Sequence, residues 1–410
     1  MRKRQWLVAA IDVGTTKICS AIARVEGTRF EILGLGQSAS NGLRRGNVVN
    51  LSETIDSVKA SLDEAERQSE TNVESAWVSI GGEFIRGINR RGETEIRGKH
   101  AEVSEEDVAR AVAAARSIEL PPDHDVIHVL TQAFAVDTQK GIVNPIGMTG
   151  RTLGVNLHLV VNATAAVQNI VSAINKANVV VDGVVMQQLA SAEAILTPDE
   201  KEMGTIVADI GGGTTDIAIY NEGSIWHSEV LPIGGNLITR DIAVGLRAGI
   251  EDAELTKLKF GSALPQEVPQ EEVVEIHEVG STSKRTISRK ILCQIIAARC
   301  DQIVEGIVEA ISRCGMDPQL FTGVVLTGGG AELRGMLEKV RRQMCLPARI
   351  GYPVNLVPMG HPLCKPTYCT ALGLLRYSSL QNKSFHPAAF GNKPKGWLNR
   401  LFRWTLSKMS

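Results

Sequence analysis

Aromatic residues are scarce, at 4% of 410 positions, and the formal net charge is only −1. That balance leaves no overall basic bias towards nucleic acid, and no nucleic-acid partner is expected. Seven cysteines (Cys19, Cys293, Cys300, Cys314, Cys345, Cys364 and Cys369) are odd in number and lack metal-ligand spacing. They read as core or surface thiols in a reducing compartment, not as zinc ligands. The eight histidines form no HExxH pattern, which excludes that metalloprotease arrangement. No stretch approaches the ~20 apolar residues of a transmembrane helix. Arg2, Lys3 and Arg4 precede an apolar run at 6–11, but it is too short for a signal sequence and ends in Asp12, so it is expected to be the first strand. Acidic residues vanish after Glu338.

What is there begins with length and apolar content, 410 residues and 43% hydrophobic, enough for two or three domains with buried cores. The most informative stretch is 206–220, IVADIGGGTTDIAIY. Ile206, Val207 and Ala208 read as a buried strand, and Thr215, Ile217 and Ile219 alternate with Asp216, Ala218 and Tyr220. Strand, glycine turn and strand predict a β-hairpin, unlike Rossmann and P-loop motifs, whose glycine loop opens a helix. Gly211, Gly212 and Gly213 can turn their N–H groups inward as an anion nest, with hydroxyls from Thr214 and Thr215. Asp209 would repel a phosphate held there unless a hard divalent cation lay between them, so the stretch implies Mg²⁺ together with nucleotide. A plain glycine hairpin is the alternative.

The chain repeats this statement. AIDVGTTKI at 10–18 matches ADIGGGTTDI at 208–217, which suggests two related lobes, each offering a phosphate hairpin to one cleft. A third glycine run, VVLTGGGAEL at 324–333, follows a β-branched strand and opens a helical pattern.

Strands are expected at 5–11, 16–25 and 30–37, then a helix at 51–65 with Ser52 as a candidate N-cap, and a strand at 76–80. The texture changes at 84–164. A polar, glycine-bearing run, a capped helix at 104–118 and strands at 126–130, 133–136 and 155–161 predict an inserted α+β subdomain. Helices at 165–177 and 188–196 lead to a second meander of strands at 205–210, 215–221 and 224–231. A helix follows Gly234 and Gly235, a short one spans 253–259, and 287–314 is a long helical pattern. Helices at 333–344 and 368–376 close the body. The organisation expected is a first lobe (1–83 and 164–200), the insertion (84–163), a second lobe (201–236 and 305–380) with its own insertion (237–304), a linker (381–394) and a terminal helix (395–410).

The tail carries the basic bias. At 100° per residue, Trp397, Leu398, Leu401, Phe402, Trp404, Leu406 and Met409 share one face, and Asn399, Arg400, Arg403 and Ser407 the other. A basic amphipathic helix with two tryptophans suits an interfacial anchor to anionic lipid, at about 1 kcal/mol per basic residue near the surface. Trp397, Leu398, Arg400, Leu401, Phe402, Arg403 and Trp404 are the expected contacts. Docking on the protein's own core is the alternative. One copy would bind reversibly and several tightly, which favours self-assembly.

With both hairpins, the third glycine loop and two lobes, the chain resembles the actin-like ATPases, whose α/β fold has two ribonuclease H-like lobes. Within them it is similar to the FtsA family of bacterial division proteins over essentially its whole length. The gap at 37–51 is too short for the first-lobe insertion of actin and MreB, whereas 84–164 matches the relocated 1C (SHS2-type) subdomain, DTQKGIVNPIGMTGRTL at 137–153 is similar to the family pattern, and the terminal helix resembles the family's membrane-targeting helix.

The resemblance implies ATP and Mg²⁺ as ligands. Gly14, Thr15, Thr16 and Lys17 would hold phosphates from one lobe, and Gly211 to Thr215 from the other, with Asp12 and Asp209 holding Mg²⁺ largely through water. Gly235 and Asn236 join the nucleotide set, Glu254 and Lys257 match a Glu-x-x-Lys pair that touches ribose and adenine, and Gly328, Gly329 and Gly330 would let backbone approach the base. Apart from the resemblance, Glu254 and Lys257 read as a solvated ion pair. Asp209 and Gln188 are the catalytic candidates, with Gln188 in the stretch Met186-Gln187-Gln188-Leu189, where which glutamine would position water is left open. A glutamine where MreB has a glutamate is a poor general base, so turnover is expected to be slow or absent, with nucleotide acting as a conformational ligand. The implied function is to tether FtsZ, by its C-terminal tail, to the cytoplasmic face of the inner membrane at the division septum, to self-assemble, and to recruit later divisome membrane proteins. Arg285, Arg289, Lys290 and Arg299 are candidates for the FtsZ contact, against the ordinary reading of a solvated charged face. The rival readings are a small-molecule kinase and a pilus-assembly ATPase-like scaffold of the same fold.

Overall fold

The computed structural model describes residues 5–27, 29–279, 284–315, 320–357 and 360–383. The expected linker and amphipathic helix, with Trp397, Leu398, Arg400, Leu401, Phe402, Arg403 and Trp404, lie outside the described residues.

Two five-stranded sheets follow one plan. In the first, Gln5–Val13 pairs antiparallel with Lys17–Glu26, which pairs antiparallel with Arg29–Ala39. On its other side Gln5–Val13 runs parallel to Ser75–Ile80, and that strand parallel to Val180–Met186. The second sheet repeats this strand for strand. Thr205–Ile210, Thr215–Asn221 and Ser224–Leu231 form the antiparallel meander, and Val324–Thr327 and Ala348–Ile350 the parallel extension. The likeness of the two Asp–Gly–Thr stretches is therefore the visible part of a duplication of whole lobes.

Strand alternation distributes the apolar residues over both faces of the second sheet. Ile206, Ala208, Ile210, Ile217 and Ile219 join one core with the long helix Arg289–Arg313, while Val207, Ala218 and Tyr220 turn towards the other core. Each fully buried isoleucine is worth roughly 1.5–3 kcal/mol relative to exposure. Helix Cys369–Lys383 follows the second sheet in sequence, yet Cys369, Ala371, Leu372, Leu374 and Leu375 are buried in the first core. This helix thus joins the second lobe to the first.

The insertion leaves the first sheet after Ser75–Ile80 and returns at helix Thr164–Lys176. Its antiparallel sheet takes the order Arg86–Glu95, Thr152–Ala163, His124–Val136 and Gln139–Ile142, with a separate core built with helix Glu105–Arg116. Ser104 caps that helix in a reciprocal box with Asp107.

Several elements differ from expectation. The first helix, Leu51–Ser69, is capped by Asn50, whose side chain accepts from Glu53 N at 3.3 Å, so Ser52 lies inside it. The polar run after Arg86 is a strand, because it is a sheet edge with mostly exposed side chains. The two pieces expected at 126–136 are one strand, His124–Val136, with a register shift that drops Gln132 from the ladder. Residues 183–186 close a strand before the helix Gln187–Ile195 begins. The third glycine run forms a 3-10 turn, Gly329–Glu332, ahead of helix Met336–Met344.

Candidate functional site

The two Asp–Gly–Thr hairpins close with the same turn bond: Gly14 N donates to Lys17 O at 3.1 Å, and Gly211 N to Thr214 O at 2.9 Å. They face each other in contact. A Cβ on Gly212 would lie 2.2 Å from the Thr16 Cγ2, and one on Gly213 would lie 2.5 Å from Thr15 Oγ1. Thr15 Oγ1 also accepts from Gly46 N at 2.9 Å. Lys17 reaches across to donate to Thr367 O and sits 4.8 Å from the centre of the Tyr368 ring.

Between the hairpins lies a cleft of about 420 Å³, within the usual range for small-molecule sites. It brings together Asp12, Gly14, Thr15, Thr16 and Lys17 from the first lobe, and Asp209, Gly211, Gly212, Gly213 and Thr214 from the second. Gly235, Asn236, Glu254, Lys257, Gly328, Gly329 and Gly330 line the same space. Thr215 does not. It is buried in its strand, where its hydroxyl donates to Ile233 O at 2.8 Å, because the strand's alternation turns it away from the cleft.

Three buried carboxylates border the cleft. Asp12 Oδ1 accepts from Ser79 Oγ at 2.8 Å and from Gln187 Nε2 at 3.3 Å. Asp209 Oδ2 accepts from Ser191 Oγ at 2.5 Å and Thr370 Oγ1 at 3.1 Å. Asp216 Oδ2 accepts from Thr214 Oγ1 at 2.9 Å, while its Oδ1 is buried without a hydrogen-bond partner. Burial raises all three acids. Asp209 is pushed up to about 6, and Asp216, with Asp209 as a further cause, to about 8. Among the described residues no group of three or more His, Cys, Asp or Glu side chains could cage a metal directly. The donor set fits an Mg²⁺ that keeps several waters and takes phosphate oxygens, and the orphaned Asp216 Oδ1 is a further acceptor for such a hydrated ion.

The two glutamines of the catalytic candidate stretch, Gln187 and Gln188, are placed differently. Gln188 is fully buried, with both atoms of its carboxamide unpartnered. Gln187 instead faces the cleft, donating to Asp12 Oδ1 and, at 3.2 Å, to Val13 O. Because a strand ends at Met186 and a helix starts at Gln187, consecutive side chains diverge by about 100°, and only one of the pair can enter the cleft.

On the other wall, Lys257 Nζ donates to Glu254 Oε2 at 2.6 Å, Thr239 Oγ1 at 2.8 Å and Gly235 O at 3.2 Å. Thr239 also donates to Glu254. Lys257 is only 8% exposed, which sets the pair apart from a solvated surface bridge. Ile238, Leu258 and Leu333 supply apolar surface nearby. Asp216, Thr239 and Thr370 are not among the site residues expected from sequence. Asp216 had a signal, since the expected hairpin sets it opposite Asp209, and the two are direct partners in the strand register.

The basic residues expected to bind a partner are engaged internally. Arg285 donates to Leu246 O, Arg289 to Phe260 O at 2.9 Å and to Glu272, and Lys290 to Gln270 at 3.2 Å. Arg299 forks onto Asp241 at 2.7 and 3.0 Å. Ten residues of helix, about 15 Å, separate Arg289 from Arg299, so they do not form one contiguous patch.

Comparison with known proteins gives the same picture. Residues 206–373 match the family described as "Cell division protein FtsA", and residues 82–161 that described as "SHS2 domain inserted in FTSA". The chain is 36% identical to the cell division protein FtsA of Neisseria meningitidis serogroup B, over 98% of this chain and 99% of that one. Among solved structures, it is similar in fold to a PilM–PilN type IV pilus biogenesis complex (TM-score 0.66, 15% identity, 90% of this chain and 98% of that one). It is also similar to MreB5 of Spiroplasma citri bound to ADP (TM-score 0.55, 14% identity, 93% and 98%). The chain therefore belongs to the FtsA family of cell division proteins, with an actin-like two-lobed fold and an SHS2 subdomain inserted in its first lobe.

Proposed function

We propose that this protein binds ATP with Mg²⁺ in the cleft and uses it to organise a membrane-bound division scaffold. The observation that carries the reading is convergence on one cavity. The two Asp–Gly–Thr hairpins with their carboxylates, the glycine run at 328–330 and the Glu254–Lys257 pair come from four separated stretches of chain. Gly14 to Lys17 and Gly211 to Thr214 would hold the phosphates, and Asp12 and Asp209 the cation's water shell. Glu254, Lys257 and the backbone at Gly328 to Gly330 would hold the nucleoside. That a fold relative was solved with ADP supports this use of the cleft.

Bound Mg²⁺ would supply charge neutralisation between the carboxylates and the phosphates. Gln187, with its amide already fixed on Asp12, is the residue placed to orient a water. A neutral amide takes no proton, so hydrolysis is slow and the nucleotide serves chiefly to set the lobe arrangement. The basic amphipathic tail, Trp397 to Trp404 included, anchors the protein to anionic lipid on the cytoplasmic face of the inner membrane at the septum. There the protein assembles with itself, holds the FtsZ tail and recruits later division proteins. Because Arg289 and Arg299 are already ion-paired, an acidic peptide would have to displace Glu272 or Asp241 to use them.

Liposome co-sedimentation tests the anchor. With ATP, Mg²⁺ and vesicles containing anionic lipid, the full chain pellets and a chain truncated after Lys393 stays in the supernatant. Equal pelleting of both rules the anchor out.

A further inference from the structure

We propose that the inserted subdomain is latched to the edge strand of the second lobe by an amide–imidazole network, and that this latch reports the state of the cleft. The proposal rests on the nucleotide reading above. Ser224–Leu231 is the edge of the second sheet, and the insertion covers it with side chains that pair with its free polar groups. Asn89 Nδ2 donates to Trp226 O at 2.8 Å, and Gln132 Nε2 to Ile225 O at 3.1 Å. The register shift that drops Gln132 from its own ladder is what frees it for this contact. His158 bridges Asn89 Oδ1 at 2.6 Å and Ser228 Oγ at 2.7 Å, and is 1% exposed. The approach is close enough that a Cβ on Gly87 would lie 2.6 Å from both His158 Cε1 and Ser228 Oγ.

Both ends of this contact lead to the cleft. Seven residues after Ser228, Gly235 N donates to Gly211 O at 2.9 Å, and Asn236 N to Gly212 O at 2.8 Å, so the edge strand runs directly into the second phosphate hairpin. At the insertion's entry, a Cβ on Gly81 would lie 2.1 Å from Gln187 Oε1, the side chain bonded to Asp12. Gly46, bonded to Thr15, is in close contact with Gly82. Bringing the hairpins together around a ligand therefore moves both the root of the insertion and the strand it is docked on. Ile127, Leu130 and Val160 of the insertion share a core with Ile225 and Val230 of the edge strand, so the latch responds by small shifts of packed elements, not by undocking.

Hydrogen exchange on full-length, nucleotide-stripped protein tests this, with uptake of ATP–Mg²⁺ measured calorimetrically on the same samples. Peptides covering Ser224–Leu231 are expected to exchange about fivefold more slowly with ATP–Mg²⁺, relative to the central strand Thr205–Ile210 of the same sheet. Gly87→Ala, a wedge in the contact, should remove that dependence while nucleotide is still taken up. His158→Ala, which adds no bulk, provides the same test should the wedge prevent folding. Uptake without a change in exchange, or dependence that survives both substitutions, overturns the latch alone. No uptake overturns the reading of the cleft and the latch with it.

Discussion

Gly212 and Thr16 meet across the cleft so closely that a single added methyl on the glycine would start 2.2 Å from the threonine side chain. The two phosphate hairpins thus share a surface, and the small residue on one side is dictated by the β-branched residue on the other. Gly212→Ala must push the hairpins apart. ATP affinity measured by calorimetry should fall about tenfold, roughly 1.4 kcal/mol. Unchanged affinity would show that the hairpins do not close on the ligand together.

Gln187 and Gln188 should separate cleanly. Gln187→Ala removes a donor to Asp12 and should weaken ATP–Mg²⁺ binding severalfold, about 1 kcal/mol. Gln188→Met replaces a buried, unpartnered carboxamide with an apolar chain of similar size, and should raise stability by about 1 kcal/mol with affinity unchanged. Chemical denaturation and calorimetry read the two effects. The reverse pattern would restore Gln188 as the cleft residue.

The raised acids predict a proton count. Burial pushes Asp216 up to about 8 and Asp209 up to about 6, and a cation beside them favours the charged forms. Uptake of ATP–Mg²⁺ at pH 7 should therefore release protons, and affinity should rise with pH towards about pH 8 and flatten above it. Calorimetry in two buffers of different ionisation enthalpy measures this. Affinity that falls as pH rises would contradict it.

The latch should be acid-sensitive. Burial holds His158 down at about 3 and His128 at about 4, with His227 adding positive charge near His158 and Glu229 beside His227. A depressed imidazole is neutral when docked and takes up a proton once released, so docking is intact above the ordinary histidine value near 6.5. It weakens as pH falls below that, by up to about 1.4 kcal/mol per unit from His158. Protection at Ser224–Leu231, read as exchange relative to the intrinsic amide rate at each pH, should fall between pH 7 and pH 5.5 in wild type, and less so in His158→Ala. An equal fall in both would remove His158 from the latch.

The duplicated hairpins were legible because strand alternation and the Asp–Gly–Thr pattern are local in sequence, and the repeat marked both halves of the cleft. The helix–strand junction at Met186 was not, since an apolar run of that length fits either period. That ambiguity left open which of Gln187 and Gln188 enters the cleft. The edge strand Arg86–Glu95 was hidden for the opposite reason: its charged side chains face solvent, and its partners are nearly seventy residues away. Long-range pairing likewise decided the fate of Arg289 and Arg299, whose carboxylates come from Glu272 and Asp241 on other elements.

Everything proposed for the cleft depends on its taking a nucleotide. The most direct measurement is isothermal titration of nucleotide-stripped, folded full-length protein with ATP in the presence of Mg²⁺. The account predicts saturable uptake of one nucleotide per chain, weakened by Gly212→Ala. A flat titration on folded protein would contradict it.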